Sequence, residues 1–168
     1  MRYTPAAFAL AMLVAVTSSV GQGKAPEPLD PRAATLVQQG RAALAAGNVD
    51  VAIDAYESAL VVQPGHVAIY LNLAEATRKQ GMQGKALRYY RQALTLEPDN
   101  QYAIAGEGMA LVEKGAVEKA RRNLSRLNQL CGETCAPARD LAAAIAAGPA
   151  PKMVTADQIK ANPVVVEN

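Results

Sequence analysis

The chain has 168 residues, a length for one modest domain, and 17 Lys and Arg against 15 Asp and Glu leave a formal charge of +2. This balance does not favour nucleic-acid binding. The composition is rich in Ala, with one Phe and no Trp, which favours closely packed helices over an aromatic-rich β-sandwich. One His and two Cys are too few for a Cys/His zinc site and leave only His66 for a Ser-His-Asp hydrolase, so no metal, cofactor or enzymatic activity is expected.

The first 21 residues have the three-part pattern of a secretory signal peptide. Arg2 precedes an apolar run over residues 6–16, and small and polar residues follow. The run is too short to span a bilayer comfortably, and no Cys lies nearby to carry a lipid anchor. We therefore expect cleavage, no stable membrane span in the mature protein, and a periplasmic or secreted location. An uncleaved signal anchor is the alternative.

Breaker residues predict the limits of the folded part. Residues 22–32 are rich in Pro and are interpreted as a linker, and residues 148–168 are interpreted as a flexible tail with one apolar patch at 164–166. The predicted folded domain therefore covers residues 33–147.

This domain repeats itself with a period of 34 residues. The matching residues are Gly47, Gly81 and Gly115; Ala52, Ala86 and Ala120; Tyr56 and Tyr90; and Pro64 and Pro98. Each unit has two stretches of helical apolar periodicity, separated by the Gly, and in the first two units closed by the Pro. We predict helices at 34–46, 50–62, 68–80, 84–96, 102–114 and 118–130. A fixed period of this size indicates a solenoid of stacked units.

The residue types at these places resemble the tetratricopeptide repeat. The resemblance rests on a small residue at the eighth place, Gly at the fifteenth, Ala at the twentieth, Tyr at the twenty-fourth and Pro at the thirty-second, over units 33–66, 67–100 and 101–134. It weakens in the third unit, as is common for a terminal repeat. It implies an all-α, right-handed α-solenoid of three helix hairpins. A seventh helix at 136–147 is interpreted as the capping helix.

Cys131 and Cys135 lie four residues apart in the turn before the capping helix. An exported chain is expected to form a local disulfide here, which contributes only about 2 kcal/mol because the closed loop is small. The alternative is a thiol-disulfide redox protein or sensor that uses the C-x-x-x-C pair. The structural interpretation is favoured because the spacing is not C-x-x-C and no βαβ pattern surrounds it.

The resemblance implies that the first helix of each unit lines a concave groove that binds partners. The contact places in this chain are Val37, Gln38, Arg41, Leu44, Leu71, Asn72, Glu75, Arg78, Tyr102, Ala105, Met109 and Val112. Of five places with which one subgroup holds a peptide's terminal carboxylate, only Asn72 keeps the required residue type. The mixed groove suits an amphipathic helix or an extended apolar peptide, with Asn72 contacting its backbone. Leu44 and Val112 fit packing between helices equally well.

Lys119, Arg122 and Arg126 form a basic stripe at helical spacing. We interpret it as a solvated face, because Glu118 precedes Arg122 by four residues and no aromatic side chains are available to stack on bases. An anionic envelope polymer stays open as a ligand. The high Ala content and the single export signal are typical of a bacterial periplasmic protein. Together with these features, the resemblance implies a non-enzymatic scaffold or adaptor of the bacterial cell envelope that binds another protein and no nucleic acid.

Overall fold

The computed structural model describes residues 28–149, which form seven α-helices and no strand within that range. The helices are α1 (Pro31–Ala45), α2 (Val49–Val62), α3 (Val67–Lys79), α4 (Gln83–Leu96), α5 (Gln101–Glu113), α6 (Val117–Cys131) and α7 (Ala136–Ala147). From α2 onward, each bound lies within one residue of the predicted one. The predicted signal peptide (1–21), most of the linker and nearly all of the tail lie outside the described residues.

Each helix hairpin turns at a glycine in the left-handed region. Gly47, Gly81 and Gly115 have φ of 81°, 81° and 85°, a conformation that residues with a Cβ rarely adopt. At the first turn the amide of Gly47 donates to the carbonyl of Leu44 at 3.1 Å, and the amide after it donates to Ala43 at 2.9 Å. This is the Schellman pattern that ends a helix, and the other two glycines repeat it.

Helix α1 begins at Pro31, so the prediction of a linker through residue 32 is wrong at its last residues. The Asp30 carboxylate accepts the amide of Arg32 at 2.8 Å and caps the helix. Pro31 stands in the first turn, where its missing N–H leaves no bond unmade and its fixed φ suits the helix. The last residues of the Pro-rich stretch therefore form the first turn of α1.

The first helices of the units lie side by side. Helix α3 contacts both α1 and α5, whereas α2 and α4 are farther apart and meet through long side chains, with Lys85 and Tyr89 of α4 reaching Glu57 of α2. The array therefore curves with its first helices on the concave side. Helix α7 packs on α5 and α6, in the place that the first helix of a fourth unit would take.

The core has two apolar clusters. The first, between α1, α2 and α3, contains Val37, Tyr56 and Leu73. The second extends from α3 to α7 and contains Leu127 and Leu141. Within residues 28–149, no helix has both the length and the apolar character that crossing a bilayer demands.

Small residues at the eighth place of a unit let its neighbours approach closely. A Cβ on Gly40 would overlap the ring of Tyr56, and one on Gly108 would lie 2.6 Å from a methyl group of Leu141. In the third unit the small residue therefore makes room for the capping helix.

Candidate functional site

The concave side holds a cavity between α3, α4, α5 and α7, which we call the concave cavity. Its lining residues are Leu71, Glu75, Tyr90, Tyr102, Ala105, Gly106, Met109, Pro137 and Asp140, and its volume is about 210 Å³. Sites that enclose a small molecule usually measure about 300–1,000 Å³. The concave cavity is smaller than such a site.

Tyr90 supports the cavity from α4. It is 3 % exposed, and its ring lies so close to Gly106 that a Cβ there would overlap it. The hydroxyl donates to Glu75 Oε2 at 3.3 Å. Burial, with the nearby Glu75 carboxylate, raises the pKa of Tyr90. The hydroxyl therefore stays protonated and keeps this bond well above neutral pH.

Arg78 links α3 to α5 behind the cavity. Its Nε and Nη2 donate to the Glu75 carboxylate at 3.1 and 3.0 Å, and its Nη1 pairs with Glu113. Burial alone would lower the pKa of Arg78, but the two carboxylates more than offset this and raise it. The guanidinium is therefore charged and already occupied by two carboxylates.

Arg41 and Asn72 contact each other between α1 and α3. Arg41 Nε donates to Asn72 Oδ1 at 3.4 Å, and Asn72 Nδ2 donates to the carbonyl of Ala68 at 2.6 Å. One amide hydrogen of Asn72 lacks a bond in this arrangement.

The structure brings five of the predicted groove residues to the concave cavity. They are Leu71, Glu75, Tyr102, Ala105 and Met109. Tyr102 is 71 % exposed, which makes it the most accessible large side chain of the cavity. Gln38 is exposed on α1.

Val37 and Val112, two of the predicted groove residues, do not line the concave cavity and are buried. They are 2 % and 3 % exposed and pack in the two core clusters. Leu44 is half-buried against the first cluster. One apolar stripe on each first helix serves both the core and the groove, so periodicity alone does not separate the two roles.

Sequence reasoning missed Tyr90, Pro137 and Asp140 as cavity residues. Tyr90 belongs to a second helix, whereas the predicted groove places all lie on first helices. Pro137 and Asp140 enter the cavity because α7 packs beside α5, a tertiary arrangement without a local sequence signal.

Cys131 and Cys135 connect α6 to α7 and do not line the concave cavity. Their sulfur atoms lie 2.03 Å apart and their Cα atoms 5.9 Å apart. Cys131 is the last residue of α6, and Cys135 directly precedes α7. Nowhere in residues 28–149 are three His, Cys, Asp or Glu side chains grouped in a way that could hold a metal ion.

The fold and its inner surface define an α-solenoid of helix hairpins. Residues 37–100 match the family model of the tetratricopeptide repeat. Over these residues the chain consists of tetratricopeptide repeats, a class of domain that typically mediates protein–protein interaction. Over 97 residues the chain is 31 % identical to the protein CTR9 homolog of Arabidopsis thaliana. That alignment covers 57 % of this chain but only 9 % of the relative.

Solved tetratricopeptide domains share the fold at low identity. The Sgt2 domain from Aspergillus fumigatus has a TM-score of 0.64 at 23 % identity, over 76 % of this chain and 91 % of that one. The TPR2B domain of yeast Sti1, in a complex with pHsp70, scores 0.64 at 18 %, over 70 % and 95 %. The second domain of human RPAP3, with the HSP70 peptide SGPTIEEVD, scores 0.61 at 20 %, over 67 % and 94 %.

Proposed function

We propose that this protein is a non-enzymatic scaffold or adaptor that binds a segment of another protein in the concave cavity. One observation carries the proposal. Apolar side chains from α3 and α5 converge on one open cavity, whose far wall belongs to the capping helix. Peptide-binding sites in proteins have this character, with an apolar centre and polar groups at the rim.

In this proposal an apolar side chain of the partner lies between Leu71 and Met109, and the exposed ring of Tyr102 covers it. Burying one leucine-sized side chain contributes about 1.5–3 kcal/mol. An amphipathic helix or an extended peptide can supply such an anchor, and the free amide hydrogen of Asn72 is available to an extended backbone.

The proposal extends to the bacterial cell envelope. The three-part pattern of residues 1–21 supports export to the periplasm or secretion. The mature protein should then begin between Ser19 and Lys24, which mass spectrometry of the protein from its native host measures. An intact Met1 would contradict export by cleavage.

Binding is tested with a double variant of the cavity, Leu71→Glu with Met109→Glu. The two carboxylates would have to be desolvated by the partner, so its affinity should fall by about a hundredfold or more. The measurement is crosslinking in the native envelope through a photoreactive residue at Tyr102, followed by titration of the captured segment.

The matched control is Lys119→Glu with Arg122→Glu on the outer helix α6, where both side chains are exposed. Arg126 does not serve as a control, because it pairs with Asp99 and donates to the carbonyl of Pro98. All variants must keep the circular dichroism and melting of the original protein. The proposal is wrong if the folded cavity variant still binds its partner while the folded α6 variant does not. The partner would then bind on the outer side of the array, at α6.

A further inference from the structure

We propose that the concave cavity selects a basic apolar segment, in which Lys or Arg adjoins the side chain that fills the cavity. The inference rests on the proposed function, because it names the chemistry of the segment bound there. It departs from the acidic peptide of the human RPAP3 complex, SGPTIEEVD, which has three acidic residues among its last four.

The charged residues that line the cavity are both acidic. They are Glu75 from α3 and Asp140 from α7, and none of the nine lining residues is Lys, Arg or His. Asp140 is exposed and makes no ion pair within residues 28–149. Its neighbour Arg139 lines a different cavity, with Leu124 and Asn128.

The nearest guanidinium does not compensate these charges. Arg78 is shared between Glu75 and Glu113, so one cation faces two carboxylates and one negative charge is left over. The carboxylate of Asp140 adds a second uncompensated negative charge. Lys79 is exposed and reaches Glu75 only at 4.0 Å, where solvent screens the interaction.

An incoming segment therefore meets an uncompensated negative rim. A Lys or Arg gains attraction from Asp140, and an Asp or Glu meets repulsion, because Arg78 is already held by two carboxylates. Gly106 cannot be replaced by a basic residue in this structure, since Tyr90 fills the space that its side chain would need.

The test is selection of random peptides displayed on phage by the full-length protein and by three variants. The first is Asp140→Lys, and the second is Asp54→Lys, a matched charge change at an exposed residue of the outer helix α2. The third is the Leu71→Glu, Met109→Glu variant, which reports whether the peptides bind in the cavity at all.

The unmodified protein should enrich peptides with Leu, Met or Phe beside Lys or Arg. A synthetic peptide of that kind should bind Asp140→Lys about tenfold more weakly, and it should bind Asp54→Lys with unchanged affinity. Enrichment of acidic peptides, or of apolar peptides without a basic residue, would overturn the inference and leave the proposed function standing. If the cavity variant enriches the same peptides as the unmodified protein, the proposed function fails as well.

Discussion

Single glycines set the distance between helices in this array. Gly106 lies under the ring of Tyr90, and Gly40 lies under the ring of Tyr56. Gly84, also inside a helix, has open space where its side chain would be. Replacing Gly106 by alanine should therefore destabilise the protein, whereas the same change at Gly84 should stabilise it.

Gly106→Ala should lower the free energy of unfolding by about 1–3 kcal/mol, because the new methyl group displaces the Tyr90 ring. Gly84→Ala should raise it by about 0.4–1 kcal/mol, since alanine reduces the entropy of the unfolded chain at no steric cost. Urea unfolding followed by circular dichroism measures both. Equal stability of Gly106→Ala and the original protein would mean that Tyr90 does not rest on Gly106.

Tyr90 also makes the stability depend on alkaline pH. Its pKa is raised above the ordinary value of 10.0, so above pH 10 the unfolded chain loses this proton while the folded protein keeps it. The stabilisation is present at neutral pH and is lost progressively as the pH rises through 10 and above.

Tyr90→Phe removes this dependence and the bond to Glu75. The variant should be less stable than the original protein at pH 8 by about 0.5–1.5 kcal/mol, and the difference should be smaller at pH 11. Urea midpoints of both proteins at the two pH values test this. Tyr56, whose pKa is also raised by burial, contributes equally to both proteins and cancels. Parallel pH curves would contradict the role of Tyr90.

The residue scale is also where sequence reasoning succeeded least. Leu71 and Val112 both lie on first helices and look alike in the periodic pattern, yet Leu71 lines the cavity and Val112 is buried. The difference depends on how far each helix is rotated toward its neighbours, which the pattern of apolar residues does not specify. Local periodicity therefore identifies the apolar face of a helix. It does not tell which residues of that face line the cavity and which lie in the core.

At the scale of helices and turns, prediction succeeded where one residue type has one backbone conformation. Gly47, Gly81 and Gly115 all adopt positive φ, so their period predicted the turns of all three hairpins. Pro31 was misjudged because proline breaks a helix inside it but favours the first turn. The hydrogen bond from the Arg32 amide to the Asp30 carboxylate shows that Pro31 stands in the first turn and not inside the helix.

The connection between α6 and α7 carries the third prediction. Cys131 ends α6 and Cys135 precedes α7, so a disulfide there would tether the capping helix to the last repeat. Replacing both by Ser should cost about 2 kcal/mol of stability in the chain-entropy model, and partner binding should be largely unchanged. Mass spectrometry with and without reductant checks the bridge, and thermal melting checks the cost. Loss of function in a folded double variant would support the redox alternative instead.

For the whole molecule, the period of 34 residues predicted the stack of helix hairpins, and the fold and the family match confirm it. The concave cavity was predicted only in part. Leu71 and Met109 follow from the repeat, whereas Asp140 belongs to the cavity because the capping helix continues the inner row. Such a site depends on how the last repeat is covered, and no single unit encodes it.

The division of the core into two clusters predicts that the two ends of the array open separately. In a linear stack each unit is stabilised only by its neighbours, so local stability differs along the chain. Val37 belongs to the cluster of α1 to α3, and Leu127 belongs to the cluster of α3 to α7. Each is at most 2 % exposed, so truncation leaves a cavity in one cluster.

Val37→Ala should therefore accelerate amide hydrogen exchange mainly in α1 and α2, and Leu127→Ala mainly in α5, α6 and α7. Exchange measured by mass spectrometry under native conditions resolves these segments. Helix α3 should respond to both variants, because Leu73 lies in the first cluster and Ala74 in the second. If either variant accelerated exchange equally in all seven helices, the array would open as one cooperative unit, and the nearest-neighbour description of its stability would be wrong.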